Sequence, residues 1–212
     1  MGDIHRLRGF KVDVRMDEIA RVLGYGSRRI PDRVAGMIAD VERSAGGLLS
    51  TACSYRYLNN EEFAHSGYLK CVSDIVLCLV TIGHRLESRA EEYKLSGELG
   101  RAIILDTYGS AAAEAAAEAA EAVIRKEVAA KGLKCSSRFS PGYGEWDVGE
   151  QKWIVPALEG KTIGVCLTEG CMMVPRKSIT FAVTYGEEAV ELHDGNLCDV
   201  CGLEHCRFRR TG

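Results

Sequence analysis

Residues 110–130 read SAAAEAAAEAAEAVIRKEVAA, a run of alanine broken mainly by glutamate. Alanine loses no side-chain freedom in a helix and prefers that state more than any other residue. The run therefore predicts one long helix that begins after Gly97, continues to about Lys131 and is ended by Gly132. Its methyl side chains take little space, so neighbouring backbones can approach it closely. Glu114, Glu118, Glu121 and Arg125 follow at spacings of four, three and four and form one polar stripe. Such a stripe is ordinarily a solvated face, with Glu121 and Arg125 a favourable surface pair.

Other elements are expected around that helix. Residues 9–15 (GFKVDVR) alternate apolar and charged side chains, as in a half-buried strand. Asp17 is placed to cap a short helix, EIARVLGY, closed by Gly24 and Gly26. Pro31 and Asp32 open a second helix with Val34, Met37, Ile38 and Val41 on one face, stopped at Gly46 and Gly47. Residues 48–60 read as a strand with a polar exit, and residues 71–83 (CVSDIVLCLVTIG) as a fully buried one. A helix over 84–95 precedes the alanine run. A Gly/Ser/Pro-rich loop over 135–150, a short helix within 147–158 and strands over 162–168 and 177–185 follow it. Isolated strands alternating with helical pairs indicate an α+β fold of mixed α/β layers. No internal repeat or long linker divides the chain. One domain over 1–212 is expected, with 1–60 its less strongly patterned part and 195–212 a cysteine-bearing tail.

Charge and composition exclude some functions. With 27 Lys+Arg against 30 Asp+Glu, the net charge of -3 argues against a general nucleic-acid binder. The longest apolar run, 75–83, is too short to cross a bilayer. The opening MGDIHRLRGFKVDVR has no apolar secretory core, so a soluble cytoplasmic protein is expected. Gly24-Tyr25-Gly26 lacks a third glycine and follows a helix, which removes a dinucleotide fingerprint. Nine cysteines, an odd number without an export signal, favour thiol or metal chemistry over a disulfide framework.

Two segments concentrate chemical groups. Arg138-Phe139-Ser140-Pro141-Gly142-Tyr143-Gly144 is a turn with a planar cation at its start, able to hold a carboxylate through two parallel hydrogen bonds. Residues 167–178 (LTEGCMMVPRKS) gather a carboxylate, a thiol, two thioethers and two cations between strands. Taken singly, the first is an ordinary surface turn and the second a loop whose methionines fill gaps.

Together, RFSPGYG at 138–144, the following EWDVGEQ and LTEGCMMVPRKS at 167–178 resemble the reactivation domain of cobalamin-dependent methionine synthase and its stand-alone relatives. The resemblance implies that family's fold, a mostly antiparallel central sheet with flanking helices. It also implies binding of S-adenosylmethionine, whose methyl group restores a corrinoid that has slipped from Co(I) to Co(II). It further implies an electron from a flavodoxin or ferredoxin. Carried over, Arg138 pairs with the ligand's carboxylate, and Pro141, Gly142 and Tyr143 cradle it. Glu114 faces it from the long helix, and Glu169 of the second motif is a further ligand candidate. A carboxylate ~4 Å from the sulfonium is worth up to about 4 kcal/mol before desolvation. The chain departs from the family where KGLKCSS replaces a longer insertion and Gly144 replaces a proline. No homocysteine or folate module fits, and the Asp-x-His-x-x-Gly cobalamin signature is missing. The implied role is therefore part of a methionine synthase (methyltransferase) activity, exerted on a corrinoid-binding methyltransferase partner.

Cys198, Cys201 and Cys206 form a third constellation, two of them spaced to chelate one ion. Cys171 is the candidate fourth ligand, with Cys166 and His205 behind it. An iron–sulfur cluster or zinc fits the spacing, and so does a tail of free thiols. An alternative function is then a non-catalytic metal or iron–sulfur redox partner, or a structural subunit of a split corrinoid methyltransferase. Cys53, Cys71, Cys78 and Cys135 stand singly. Trp146 and Trp153, near the glycine loop, suit core packing better than covering a corrin or adenine face.

Overall fold

The chain opens on an edge strand, β1 (Ile4–Arg8), followed by helices α1 (Met16–Val22) and α2 (Asp32–Ala45). Strand β2 (Ala52–Asn59), the single turn α3 (Asn60–Phe63) and strand β3 (Asp74–Thr81) come next. Helix α4 (Arg85–Leu95) leads into the long α5 (Leu99–Ala129), then β4 (Lys134–Cys135) and α6 (Gln151–Ala157). A two-stranded ribbon, β5 (Cys166–Leu167) and β6 (Met173–Val174), precedes the last strand, β7 (Ser178–Gly186). This computed structural model describes residues 3–25 and 28–189.

The five-stranded sheet runs β1-β2-β3-β7-β4, with every neighbouring pair antiparallel. Both faces are covered, which is why the central β3 is apolar without alternation. Cys53, Tyr55, Val76, Cys78, Val80, Phe181 and Val183 face the helices. Leu58, Ile75, Leu77, Leu79 and Ala182 face a second core built from Phe63, Leu69, Phe139, Trp146, Ile154 and Leu158.

Helix α5 lies on β3 and β7 and packs against α1, α2 and α4. Its alanines allow this crowding: Ala112, Ala116 and Ala117 are fully buried. Lengthening one of them overfills a close-packed interior. We expect Ala116→Leu to cost about 1–3 kcal/mol, a fall in Tm of roughly 2–12 °C by calorimetry for a chain of this size. An unchanged Tm would mean that the helix does not sit this tightly. Helix and sheet are also tied by Glu127, which accepts from the hydroxyls of Tyr55 (2.7 Å) and Tyr57 (3.0 Å). Burial, then the Glu127 carboxylate, pushes both phenols well above the ordinary tyrosine range, so they donate as neutral groups.

Three expectations change. Residues 9–15 are not a strand; β1 lies just before them, on the free edge of β2. Phe10, Val12 and Val14 still pack on the helical core, so their alternation serves an extended segment without a ladder. Asp17 sits in the first turn of α1 rather than capping it, and accepts from Arg15, the residue at the N-cap. The strand expected over 162–168 is a 3₁₀ turn at Gly160–Ile163 followed by two-residue β5. Among the described residues no helix is long and apolar enough to cross a membrane.

Candidate functional site

The site begins with an irregularity beside β7. Cys135 pairs with Tyr185, whereas Phe139 bridges to Ala182, so the outer segment carries one residue more than β7 between these pairs. Such a bulge reverses the inside–outside alternation of the residues beyond it. Cys135 packs towards the helical core, and regular alternation would send residue 138 the opposite way. With the extra residue, Phe139 enters the second core and Arg138 turns towards α5, its guanidinium 5.8 Å from the Phe181 ring.

Arg138 there meets the polar stripe of the alanine helix. Its Nη2 donates to Glu114 Oε2 at 2.8 Å, and its Nε lies 3.4 Å from Glu121 Oε2. Glu121 is held from its other oxygen by Arg125 Nε at 2.9 Å. Arg125 also donates to the carbonyls of Cys135 and Ser136, tying down the bulge itself. The side chains of Arg138 and Glu121 are each 16% exposed and that of Glu114 43%. The stripe is thus a half-covered wall facing a cation, where a solvated face was expected.

That wall bounds a cavity of about 220 Å³ lined by Glu114, Arg138, Ser140, Pro141, Tyr143, Gln151, Met173, Ser178, Ile179 and Thr180. Two buried side-chain atoms among the described residues have no hydrogen-bond partner, Arg138 Nη1 and Gln151 Oε1, and both residues line this cavity. An unsatisfied buried polar atom costs about 1–3 kcal/mol. Such atoms are rare in folded proteins, and these two lie on one cavity.

The glycine turn shapes the mouth. Gly142 has φ +93°, which favours glycine, and its N–H donates to the Trp146 carbonyl at 2.7 Å. Gly142 lies behind the lining and holds the turn, while Pro141 and Tyr143 reach the cavity. Tyr143 is 42% exposed at the rim. Behind the turn, Glu150 acts as a clamp. It accepts from Ser66 Oγ (2.6 Å), the Gly67 amide (3.0 Å) and Trp146 Nε1 (2.8 Å). Trp146 is 1% exposed and stacks on Tyr68 and Phe139. Trp153 meets His65 edge-on. Trp146 is therefore core.

The structure brings Arg138, Glu114, Pro141 and Tyr143 together, and adds Gln151 and Glu121, which sequence reasoning did not single out as ligand contacts. Glu169 is exposed in the β5–β6 turn and lies outside the lining. Cys171 sits in the same turn with φ +63°, and Cys166 is exposed on β5. Cys198, Cys201, Cys206 and His205 lie outside the described residues. Among the described residues no group of three or more His, Cys, Asp or Glu side chains could hold a metal ion. Cys53 and Cys78, read as single, meet with their sulfurs 3.4 Å apart. Burial first, then this contact, pushes the Cys78 thiol up, as expected of an inert core thiol.

Residues 59–197 match the family described as vitamin B12 dependent methionine synthase, activation domain. Among solved structures, the MetH reactivation domain bound to AdoHcy is similar, with a TM-score of 0.60 at 15% identity. The match covers 85% of this chain and 78% of that one. At this identity the likeness speaks for the fold. No curated protein matches the chain.

Proposed function

We propose, since this chain belongs to the vitamin B12 dependent methionine synthase activation domain family, that its cavity takes the amino-acid end of S-adenosylmethionine. The bound methyl donor would serve a corrinoid-binding methyltransferase. The observation that carries this is Arg138 Nη1, a buried donor with no partner in a cavity beside the Pro141–Tyr143 turn. These residues would hold S-adenosylmethionine so that its methyl group could pass to a partner's corrinoid, with one electron from a flavodoxin- or ferredoxin-type donor. The similar MetH domain, solved with the demethylated product AdoHcy, supports the choice of ligand class.

The chain's own residues divide the work of holding the ligand. Glu114 and Glu121 occupy Nη2 and Nε of Arg138, which fixes the plane of the guanidinium and leaves Nη1 for a carboxylate. The cavity, about 220 Å³, is smaller than the roughly 300–1,000 Å³ clefts that take drug-sized ligands. It therefore houses the amino-acid end, and the adenosine lies against the exposed face of Tyr143. Glu114, half exposed between Arg138 and the cavity, places a negative charge where the sulfonium arrives.

Charge at sulfur separates this reading from generic nucleoside binding. Glu114→Gln keeps an oxygen for Arg138 but removes the charge. In titration calorimetry we expect it to weaken S-adenosylmethionine relative to S-adenosylhomocysteine, whose sulfur is uncharged, by roughly 2–5-fold, the size of a part-exposed ion pair. No binding of either compound by the unaltered chain would overturn the reading. An unchanged ratio would remove Glu114 from it.

A further inference from the structure

We propose that Gln151 receives the ligand's α-amino group and thereby restricts the cavity to ligands that end in an intact amino acid. This deepens the reading above and rests on it. Gln151 is 4% exposed at the start of α6. Its Nε2 donates to Thr180 Oγ1 at 2.6 Å, while its Oε1 is buried without a partner. The same cavity holds the unpartnered Nη1 of Arg138. One donor and one acceptor are thus left over on a single concave surface.

That pairing of needs is selective. A carboxylate satisfies Nη1 and an ammonium satisfies Oε1, and an α-amino acid carries both on one carbon. A dicarboxylate offers acceptors only and would leave Oε1 facing a negative oxygen. A site built to hydrogen-bond a group discriminates strongly against an analogue lacking it, because the buried atom is then stranded. The neighbouring Glu150 is fixed by Ser66, Gly67 and Trp146, and Thr180 holds Nε2. Oε1 therefore has little freedom to seek another donor.

The test compares S-adenosylmethionine with its deaminated analogue, in which hydrogen replaces the amino group, by titration calorimetry on the full chain. The unaltered chain should favour the amino-bearing ligand by about 10–100-fold, the range for a charge-assisted hydrogen bond. Gln151→Met, similar in length and without polar atoms, should reduce that preference to near unity without weakening the deaminated ligand. Gln151→Glu, which keeps an oxygen at the position, should retain the preference. Arg138→Ala should weaken both ligands. Equal binding of the two ligands by the unaltered chain overturns the role of Gln151 but leaves the cavity assignment standing. So does equal weakening of both by Gln151→Met, which would mean that the amide serves the carboxylate or only shapes the wall. Failure of S-adenosylmethionine to bind the unaltered chain removes both.

Discussion

Arg138→Ala should weaken S-adenosylmethionine binding by about 100-fold or more, because a lost charge-assisted hydrogen bond accounts for about 10–100-fold and a second effect adds to it. Two consequences combine. The ligand's carboxylate loses its donor, and Glu114 and Glu121 lose the cation that faces them. Their uncompensated charge then repels the carboxylate that Arg138 formerly attracted. The fold should suffer less. Glu121 keeps Arg125 at 2.9 Å, and Glu114, with its side chain 43% exposed, regains water. A stability loss of about 1–3 kcal/mol covers what remains. Arg138→Lys is the informative control. It restores charge but cannot address Glu114, Glu121 and a ligand at once from one rigid plane, so it should rescue stability better than affinity. Calorimetric titration together with thermal unfolding separates the effects. Binding indifferent to either substitution would detach the guanidinium from the site.

Trp146→Ala should produce the largest loss of stability outside the long helix, about 3–5 kcal/mol, typical of removing a buried aromatic side chain. Against total stabilities of roughly 5–15 kcal/mol this is severe, and Tm should fall by about 6–20 °C. Trp146 stacks with Tyr68 and Phe139 in the second core, with ring centroids 5.4 and 6.1 Å away, and its Nε1 holds Glu150. Its loss opens a cavity and loosens the clamp immediately before Gln151. Trp146→Phe keeps most of the stack but forfeits the hydrogen bond, for about 1–3 kcal/mol. A Trp146→Ala chain melting within about 2 °C of the unaltered protein, by the relation between stability and Tm for chains of this size, would place that indole outside the core.

Much of the frame was legible before the structure. The alanine run, the apolar stretch that became β3 and the strand ending near Tyr185 each carry a local pattern that one segment satisfies alone. The misplaced elements are those whose identity depends on a distant partner. Residues 9–15 alternate like a strand, but the free edge of β2 is taken by Ile4–Arg8. Arg138 stood out in its motif, yet its direction depends on one extra residue beside β7, a register effect that no local pattern encodes. The glutamate stripe was visible, but its cation arrives from beyond the helix, so a solvated face and a half-covered wall looked alike. Cys53 and Cys78 meet only because β2 and β3 pair in one particular register. Gln151 closed the EWDVGEQ segment but was not singled out within it. A lone glutamine before Trp153, Ile154 and Val155 becomes a candidate only once its oxygen is seen buried without a donor.

If Arg138 and the Pro141–Tyr143 turn hold the amino-acid end of a methyl donor, a crystal structure of the chain grown with S-adenosylmethionine will show it. We expect the ligand's carboxylate within hydrogen-bond distance of Arg138 Nη1, its amino group on Gln151 Oε1 and its adenosine against Tyr143. A cavity closed without ligand, or a ligand bound elsewhere with Nη1 still unpartnered, would contradict it.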